Sequence, residues 1–226
     1  MNPRRSRRVH QRAPWNHNIH LHGVVTAAVP HGATSALDVG TGDGLLAREL
    51  RNAVPDVTAV DVDGEVLARA AMDRPDIAWV PGDIMRLDLG RSFDVVASVA
   101  TIHHLPDLTA GLSRLRDLTA PGGALVVIGL ARPSSLGDHL LGVIGALQHR
   151  WYVRRRTLWE HSAPTIWPPP HTYREVRVCA AEVLPGMIWR RHPMWRYSVV
   201  WRNAPVQDAA SDFISGHTPP GSVASS

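Results

Sequence analysis

The stretch Ser35-Ala36-Leu37-Asp38-Val39-Gly40-Thr41-Gly42-Asp43-Gly44-Leu45 decides how the rest of the chain is read. An apolar run leads into glycines at alternate positions, and helical apolar spacing from Gly44 to Val54 follows at once. Strand, tight turn and helix in that order form a ligand-gripping unit. Glycines let backbone N–H groups approach a ligand closely, and a helix N-terminus favours polar or anionic groups. The dinucleotide fingerprint G-x-G-x-x-G needs a glycine where Leu45 stands, so the spacing disfavours a nicotinamide dinucleotide. Asp61 ends the next apolar run, at the separation where a carboxylate accepts hydrogen bonds from ribose hydroxyls.

Outward from this turn, short β-branched runs alternate with helical patterns. Ser35 to Val39, Val57 to Asp61, Ile77 to Val80, Phe93 to Val99 and Ala124 to Leu130 read as strands. Gly44 to Val54, Gly64 to Met72 and Leu108 to Leu118 read as helices, the last stopped by Pro121-Gly122-Gly123. The alternation predicts a parallel α/β sheet. A further helix is expected from Tyr173 to Leu184, closed by Pro185-Gly186, and then strands at Met187 to Trp189 and Tyr197 to Trp201. Residues 1–13 and 205–226 carry little to bury and are expected to be disordered ends around one domain spanning 14–204.

Composition narrows the function classes. The chain of 226 residues has 44 % hydrophobic and 19 % charged residues, near globular averages, and no apolar run of bilayer length. The basic start runs into Trp15-Asn16-His17 in place of an apolar secretory segment, so a cytoplasmic protein with no membrane partner is expected. A lone cysteine, Cys179, excludes an internal disulfide and a multi-cysteine zinc site, and reads as a small buried hydrophobe. The net charge of +4 and the high isoelectric point suggest nucleic acid only superficially, because all 24 basic residues are Arg and none is Lys. Arginine does not titrate below a pH of about 12, so a small excess raises the isoelectric point without a strong field at neutrality. Arg4-Arg5-Ser6-Arg7-Arg8 and Arg154-Arg155-Arg156 read as solvated charge runs, and no nucleic-acid partner is expected. The chain carries no signal of oligomeric state.

With these residues in hand, the sequence resembles the class I S-adenosylmethionine-dependent methyltransferases. The resemblance runs through Asp38 to Gly44, Asp61, Gly82-Asp83-Ile84, Phe93-Asp94-Val95-Val96, His103-His104-Leu105 and Pro121-Gly122-Gly123, between about Trp15 and Trp201. It implies a doubly wound, Rossmann-like sheet of seven strands with an antiparallel last strand. A helical cap, residues 133–180, is then inserted between strands five and six. It also implies S-adenosylmethionine as cofactor and no metal. Gly40 and Gly42 would lie against the methionine moiety, Asp61 would bind ribose, and Asp83 would meet the adenine amino group. The full cofactor set expected is Asp38, Gly40, Thr41, Gly42, Asp61, Val62, Gly82, Asp83, Ile84 and Ala100.

The acceptor side is read from His103 and His104. No Asn or Asp followed by Pro-Pro and an aromatic ends the fourth strand, which argues against the subset that methylates exocyclic amines of bases. Histidine suits removal of a proton from a hydroxyl near neutral pH, so His103 or His104 is the expected catalytic base. Asn16, Asn18 and His20 of a leader helix are expected to lie over cofactor and acceptor. His17, His20 and His22 cannot all share one helix face, which argues against a metal site. Trp151, Tyr152, Trp159, His161, Trp167 and Pro168-Pro169-Pro170 supply an aromatic cap, either packing onto the sheet or lining a pocket for a small apolar or aromatic acceptor. The expected reaction is methyl transfer to such a small-molecule acceptor, with oxygen favoured. RNA or protein methylation, and a non-catalytic cofactor-binding scaffold, are the alternatives.

Overall fold

Five β-branched runs interleaved with helical ones can bury their apolar faces only by stacking side by side with helices on both sides. The computed structural model, which describes residues 14–155, 157–158 and 167–204, shows that arrangement. Strands β1 (Ser35–Val39), β2 (Asp56–Asp61), β3 (Ala78–Pro81), β4 (Phe93–Val99) and β5 (Thr119–Leu130) run parallel. Strands β6 (Ile188–His192) and β7 (Arg196–Arg202) complete a seven-stranded sheet in the order β3-β2-β1-β4-β5-β7-β6. Strand β7 is antiparallel to both neighbours, as expected of the last strand.

The period of two along each strand sends alternate residues to opposite faces. Leu37 and Val39 join Val96, Leu125, Val127 and Val199 on one face, under α4 (Leu108–Asp117) and α6 (Tyr173–Val183). Ala36 joins Ala59, Val95, Ala97 and Val126 on the other, under α1 (His22–Ala27) and α2 (Leu45–Arg51). Helix α3 (Gly64–Asp73) is capped by Asp63, whose Oδ1 accepts from the N–H groups of Glu65 and Val66. Three boundaries differ from the sequence reading. Helix α2 begins at Leu45 because Gly44 is left-handed, with φ +73. Strand β5 begins at Thr119, and its register with β4 shifts across Pro121 to Gly123 before regular pairing resumes at Ala124. The leader is not one helix: a 3-10 turn at Ile19–Leu21 precedes α1, and Pro14–Trp15 pairs in parallel with Thr157–Leu158.

Between β5 and β6 lies α5 (Leu136–Arg155), a 20-residue helix, followed by α6. Helix α5 turns its apolar stripe outward: Leu136, Leu140, Val143 and Leu147 are exposed, while Asp138 and Gly145 are buried. It docks by close backbone approach, since a Cβ on Gly145 would collide with the backbone nitrogen of Met194. An ion pair from Arg191 Nε to Asp138 Oδ1 at 3.0 Å adds to this contact. Of the rings that could pack the cap or line a pocket, Trp151 is exposed with the Arg155 guanidinium over it, Trp167 is exposed, and Tyr152 is half-buried against His20. Trp159, His161, Arg156, the Arg4 to Arg8 cluster and the two ends at 1–13 and 205–226 lie outside the described residues. Among the described residues no helix is long and apolar enough to cross a membrane. Gly145→Ala is expected to lower amide-exchange protection in α5 by about 1–3 kcal/mol while protection in β1, β4 and β5 is unchanged. Equal loss across the sheet would mean that α5 is not a separately docked element.

Candidate functional site

Parallel strands place their C-terminal ends along one edge, and in open α/β sheets ligands bind in the crevice where strand order reverses. Here that point lies between β1 and β4, and the glycine turn sits on it. Gly40 has φ +72 and no room for a side chain, because a Cβ would run into Thr101, just beyond β4. Gly42 is also left-handed, but nothing lies within 4 Å of where its Cβ would be, so its backbone borders open space.

The turn is held by strand β2. The N–H groups of Gly40 and Thr41 both donate to Val60 O, at 2.8 and 3.1 Å. The Gly42 N–H donates to Asp61 Oδ2 at 2.8 Å, and the Asp63 N–H donates to Asp61 Oδ1 at 3.0 Å. These bonds orient the Asp61 carboxylate and use about half of its four lone-pair sites, leaving acceptor capacity for hydroxyl groups. Beneath the turn Asp38 is fully buried, and the Thr41 hydroxyl donates to its Oδ2 at 2.6 Å. Burial raises the Asp38 carboxyl to about 6, against the lowering influence of the Thr41 hydrogen bond.

The remaining predicted cofactor positions fall at neighbouring strand ends. Val62, just after β2, is apolar and 76 % exposed. Gly82 follows β3 and its N–H donates to Asp61 O at 2.8 Å. Asp83 is half-buried, its Oδ1 accepting from the Met85 N–H at 2.9 Å, and Ile84 is buried next to it. Ala100, after β4, is left-handed with φ +57, a conformation costing a non-glycine residue about 1–3 kcal/mol. Its N–H donates to Ile128 O at 2.7 Å, which ties the end of β4 to β5.

His103 and His104 lie in the 3-10 turn Ile102–His104 directly after β4, their ring centroids 4.2 Å apart. Burial separates their chemistry. His103 is enclosed and its pKa is pulled down to about 4, first by burial and then by the positive influence of His104 and Arg196. His104 is exposed.

The leader crosses this end of the sheet. Asn16 Oδ1 accepts from the N–H groups of Asn18 and Ile19, and Asn18 Oδ1 accepts from Arg196 Nε and Nη2 at 3.1 and 3.0 Å. The three leader histidines diverge: His17 meets His149 of α5 at 3.0 Å, the His20 ring meets Tyr152, and His22 meets Glu49 of α2 at 2.9 Å. Cys179 is half-buried on α6, its sulfur 3.2 Å from the Thr109 hydroxyl. Thr101, Tyr173 and Arg196 were not singled out by the sequence reading. Arg196 opens a strand whose sequence does not reveal that its first residue is buried.

Residues 37–127 match a family model described as a methyltransferase domain. An uncharacterized methyltransferase of Mycobacterium tuberculosis is 44 % identical over 196 residues, covering 85 % of this chain and 98 % of that protein. A demethylmenaquinone methyltransferase of Beutenbergia cavernae is 35 % identical over 98 residues, covering 43 % of this chain and 41 % of that protein. A ubiquinone biosynthesis O-methyltransferase of Paramagnetospirillum magneticum is 32 % identical over 134 residues, covering 54 % and 53 % respectively. The fold matches the N-methyltransferase NodS of Bradyrhizobium japonicum in complex with S-adenosylhomocysteine, with a TM-score of 0.55 and 18 % identity over 82 % of this chain and 86 % of that one. The chain belongs to the class I S-adenosylmethionine-dependent methyltransferases. It is an enzyme of that class, and S-adenosylmethionine is its cofactor.

Two outcomes test this geometry. Asp61→Asn removes the charge and one of the two acceptor oxygens that hold Gly42 and Asp63, and should weaken S-adenosylhomocysteine binding by about 10–100-fold while lowering stability by only about 1 kcal/mol. Unchanged calorimetric affinity would remove Asp61 from the site. The second concerns pH. His103 has a folded pKa of about 4 against an ordinary 6.5, so the unfolded chain binds more protons between those values and stability falls as pH drops through that window. His17, also lowered to about 4, acts in the same direction. Asp38, raised from 3.8 to about 6, contributes the opposite slope in its own window. His103→Gln should therefore flatten the acid limb relative to wild type, read as urea midpoints between about pH 6.5 and 4, and leave the difference constant above neutrality. Parallel curves for the two proteins would contradict the burial of a neutral imidazole.

Proposed function

We propose that the protein transfers the methyl group of S-adenosylmethionine to an oxygen atom of a small, largely apolar acceptor in the cytoplasm. In this reading Gly40, Thr41 and Gly42, supported by Asp38, meet the methionine moiety. Asp61 accepts from the ribose hydroxyls, Val62 and Ile84 border the adenine, and Asp83 with Gly82 meets its amino group. Ala100 closes the floor at the end of β4. The residues present fit that group, with an oriented carboxylate, an apolar exposed neighbour and a glycine bordering open space. When bound, the cofactor supplies an electrophilic methyl on sulfur. The chain supplies alignment, because in-line displacement depends chiefly on near-attack geometry.

The observation that carries the small-acceptor reading is the fastening of the leader across the acceptor side. Asn18 is held by Arg196 of β7, and His17 by His149 of α5. A macromolecular acceptor would have to displace this strap, so the reading is against nucleic acid and protein as partners. Similarity to a ubiquinone biosynthesis O-methyltransferase supports oxygen as the methylated atom. His103, with a pKa of about 4, is too weakly basic to remove a hydroxyl proton near neutrality. A proton on the acceptor oxygen therefore leaves to the exposed His104, or the acceptor arrives already ionised.

Incubation with labelled S-adenosylmethionine and a metabolite extract filtered to remove macromolecules should give S-adenosylhomocysteine and a labelled small product. Labelling confined to RNA or protein, or retained cofactor without turnover, would defeat the proposal. Product formation should be little affected by salt, since no phosphate backbone has to be neutralised.

A further inference from the structure

A surface helix normally turns its apolar stripe to the core and its charges to water. Helix α5 does the reverse. The face that meets the protein carries Asp138, ion-paired with Arg191 at 3.0 Å, Gly145, where a Cβ would meet the Met194 backbone, and His149, 3.0 Å from His17. The opposite face carries Leu136, Leu140, Val143, Ile144, Leu147 and Trp151, with Leu136 90 %, Leu140 63 % and Leu147 65 % exposed. Spacings of three and four residues make these side chains neighbours on one strip, about 22 Å long at 1.5 Å per residue. Single exposed leucines are ordinary, but a contiguous strip of them marks a surface that something covers.

Charge indicates the nature of the cover. Asp138 is the only acid in α5, and it is buried in its ion pair. The outward face instead ends in Arg150, Arg154 and Arg155, all exposed and without a carboxylate partner among the described residues. At 3.6 residues per turn Arg154 continues the leucine strip, and Arg150 and Arg155 flank it on either side. The Arg155 guanidinium lies 4.4 Å from the centre of the Trp151 ring, which keeps a cation beside an amphipathic ring of the kind found where hydrocarbon meets headgroups. A second copy of the chain matches this face poorly. Parallel pairing of two α5 helices would oppose their arginines, and antiparallel pairing would set Arg150 and Arg154 against Leu136 and Leu140, with no exposed acid in α5 to meet them. An anionic bilayer offers both partners at once, hydrocarbon for the leucines and headgroup charge for the arginines.

We propose that α5 lies in the interface of an anionic lipid bilayer and makes the enzyme a peripheral membrane protein. Its leucine strip enters the boundary between headgroups and acyl chains, and Arg150, Arg154 and Arg155 meet lipid phosphates. The expectation of no membrane partner rested on the lack of an apolar run of bilayer length, and a helix lying in the interface needs no such run. The back of α5 remains fastened to the leader and to the turn between β6 and β7, through His149 with His17, Tyr152 with His20 and Gly145 with Met194. Docking on lipid therefore requires no rearrangement of the helix. It also leaves open which acceptor is methylated, so the proposal stands or falls apart from the small-acceptor reading.

The full chain is mixed with sucrose-loaded vesicles of phosphatidylcholine, alone or with about one-third phosphatidylglycerol, and bound protein is measured by sedimentation. Binding to the anionic vesicles should exceed binding to the neutral ones by at least about tenfold and weaken as salt rises. Leu140→Gln/Leu147→Gln should lose at least about tenfold of that binding. Arg150→Gln/Arg154→Gln/Arg155→Gln should lose about 100-fold, since each arginine near such a surface contributes about fivefold. Both variants change exposed side chains, so S-adenosylhomocysteine affinity and melting temperature should match the wild type. Met72→Gln, at an exposed apolar position on α3, should bind vesicles normally. Tryptophan emission should shift to the blue on anionic vesicles, and less so in Trp151→Phe. Absence of binding to anionic vesicles, or binding that survives the leucine variant, would overturn the proposal. So would binding that is indifferent to the α5 variants and lost when Arg4, Arg5, Arg7 and Arg8 are replaced by glutamine. A dimer in sedimentation velocity that the leucine variant dissociates would assign the strip to a second copy and overturn it equally.

Discussion

The meeting of Gly40 with Thr101 sets the geometry on which the rest of the site depends. The chain leaves two adjacent parallel strands, β1 and β4, toward opposite sides of the sheet at this point, and Gly40 there has no space for a Cβ. Because Gly40 yields that space, the end of β4 lies against the turn, and everything following β4 is brought beside the cofactor region: Ala100, Thr101 and the histidine pair. The same contact fixes the direction in which the turn presents its backbone. Gly42, two residues on, then borders open space and is oriented by Asp61. A side chain at position 40 would push apart the two halves of the crevice, so the glycine there is a constraint on the whole site as much as on its own dihedral angles.

Around that joint, polar groups are arranged in two unlike layers. At the ends of β2 and β3, acids are held by backbone donors: Asp61 by Gly42 and Asp63, and Asp83 by Met85. Asp61 is therefore oriented by neutral donors, and Asp83 keeps only a loose ion pair with the exposed Arg86 at 3.7 Å, which leaves both able to accept from hydroxyl and amino groups. Beyond β4 and at the start of β7 the sign reverses. Arg196 contributes a buried positive charge, and the nearby imidazoles His17 and His103 respond by staying neutral, both lowered to about 4 with Arg196 among the causes. A second positive charge in that enclosure would be costly, so protonation is suppressed there by the fixed guanidinium as well as by burial.

Much of this was legible in the sequence because it depends on local periodicity and on residues close together in the chain. The seven strands, the turn and the acids after β2 and β3 follow from runs such as Ser35–Val39 and from the interval between Gly40 and Asp61. The leader and the cap were read less well, for physical reasons. Helix α5 carries Leu136, Leu140, Val143 and Leu147 on one stripe, a pattern that normally marks the buried face, yet it docks through Gly145 and Asp138. A glycine that permits backbone contact leaves no hydrophobic signature. Trp151, which looked like an anchor for the cap, lies outside beneath Arg155.

Arg196 shows the same limit more sharply. As the first residue of Arg196–Arg202 it resembles the charged end of an edge strand, and Arg202 at the other end is indeed exposed. What buries Arg196 is the leader, almost the whole chain length away, whose Asn18 reaches it across the sheet edge. No window of local sequence contains both residues. The histidine pair was legible as a location but not as a chemistry, because adjacency in sequence says nothing about which ring is enclosed. His103 is withdrawn from solvent and held neutral, whereas His104 faces out. The fold was thus written in short-range patterns, while the surroundings of Arg196 depend on long-range contacts that place a cation where the local sequence shows only an edge.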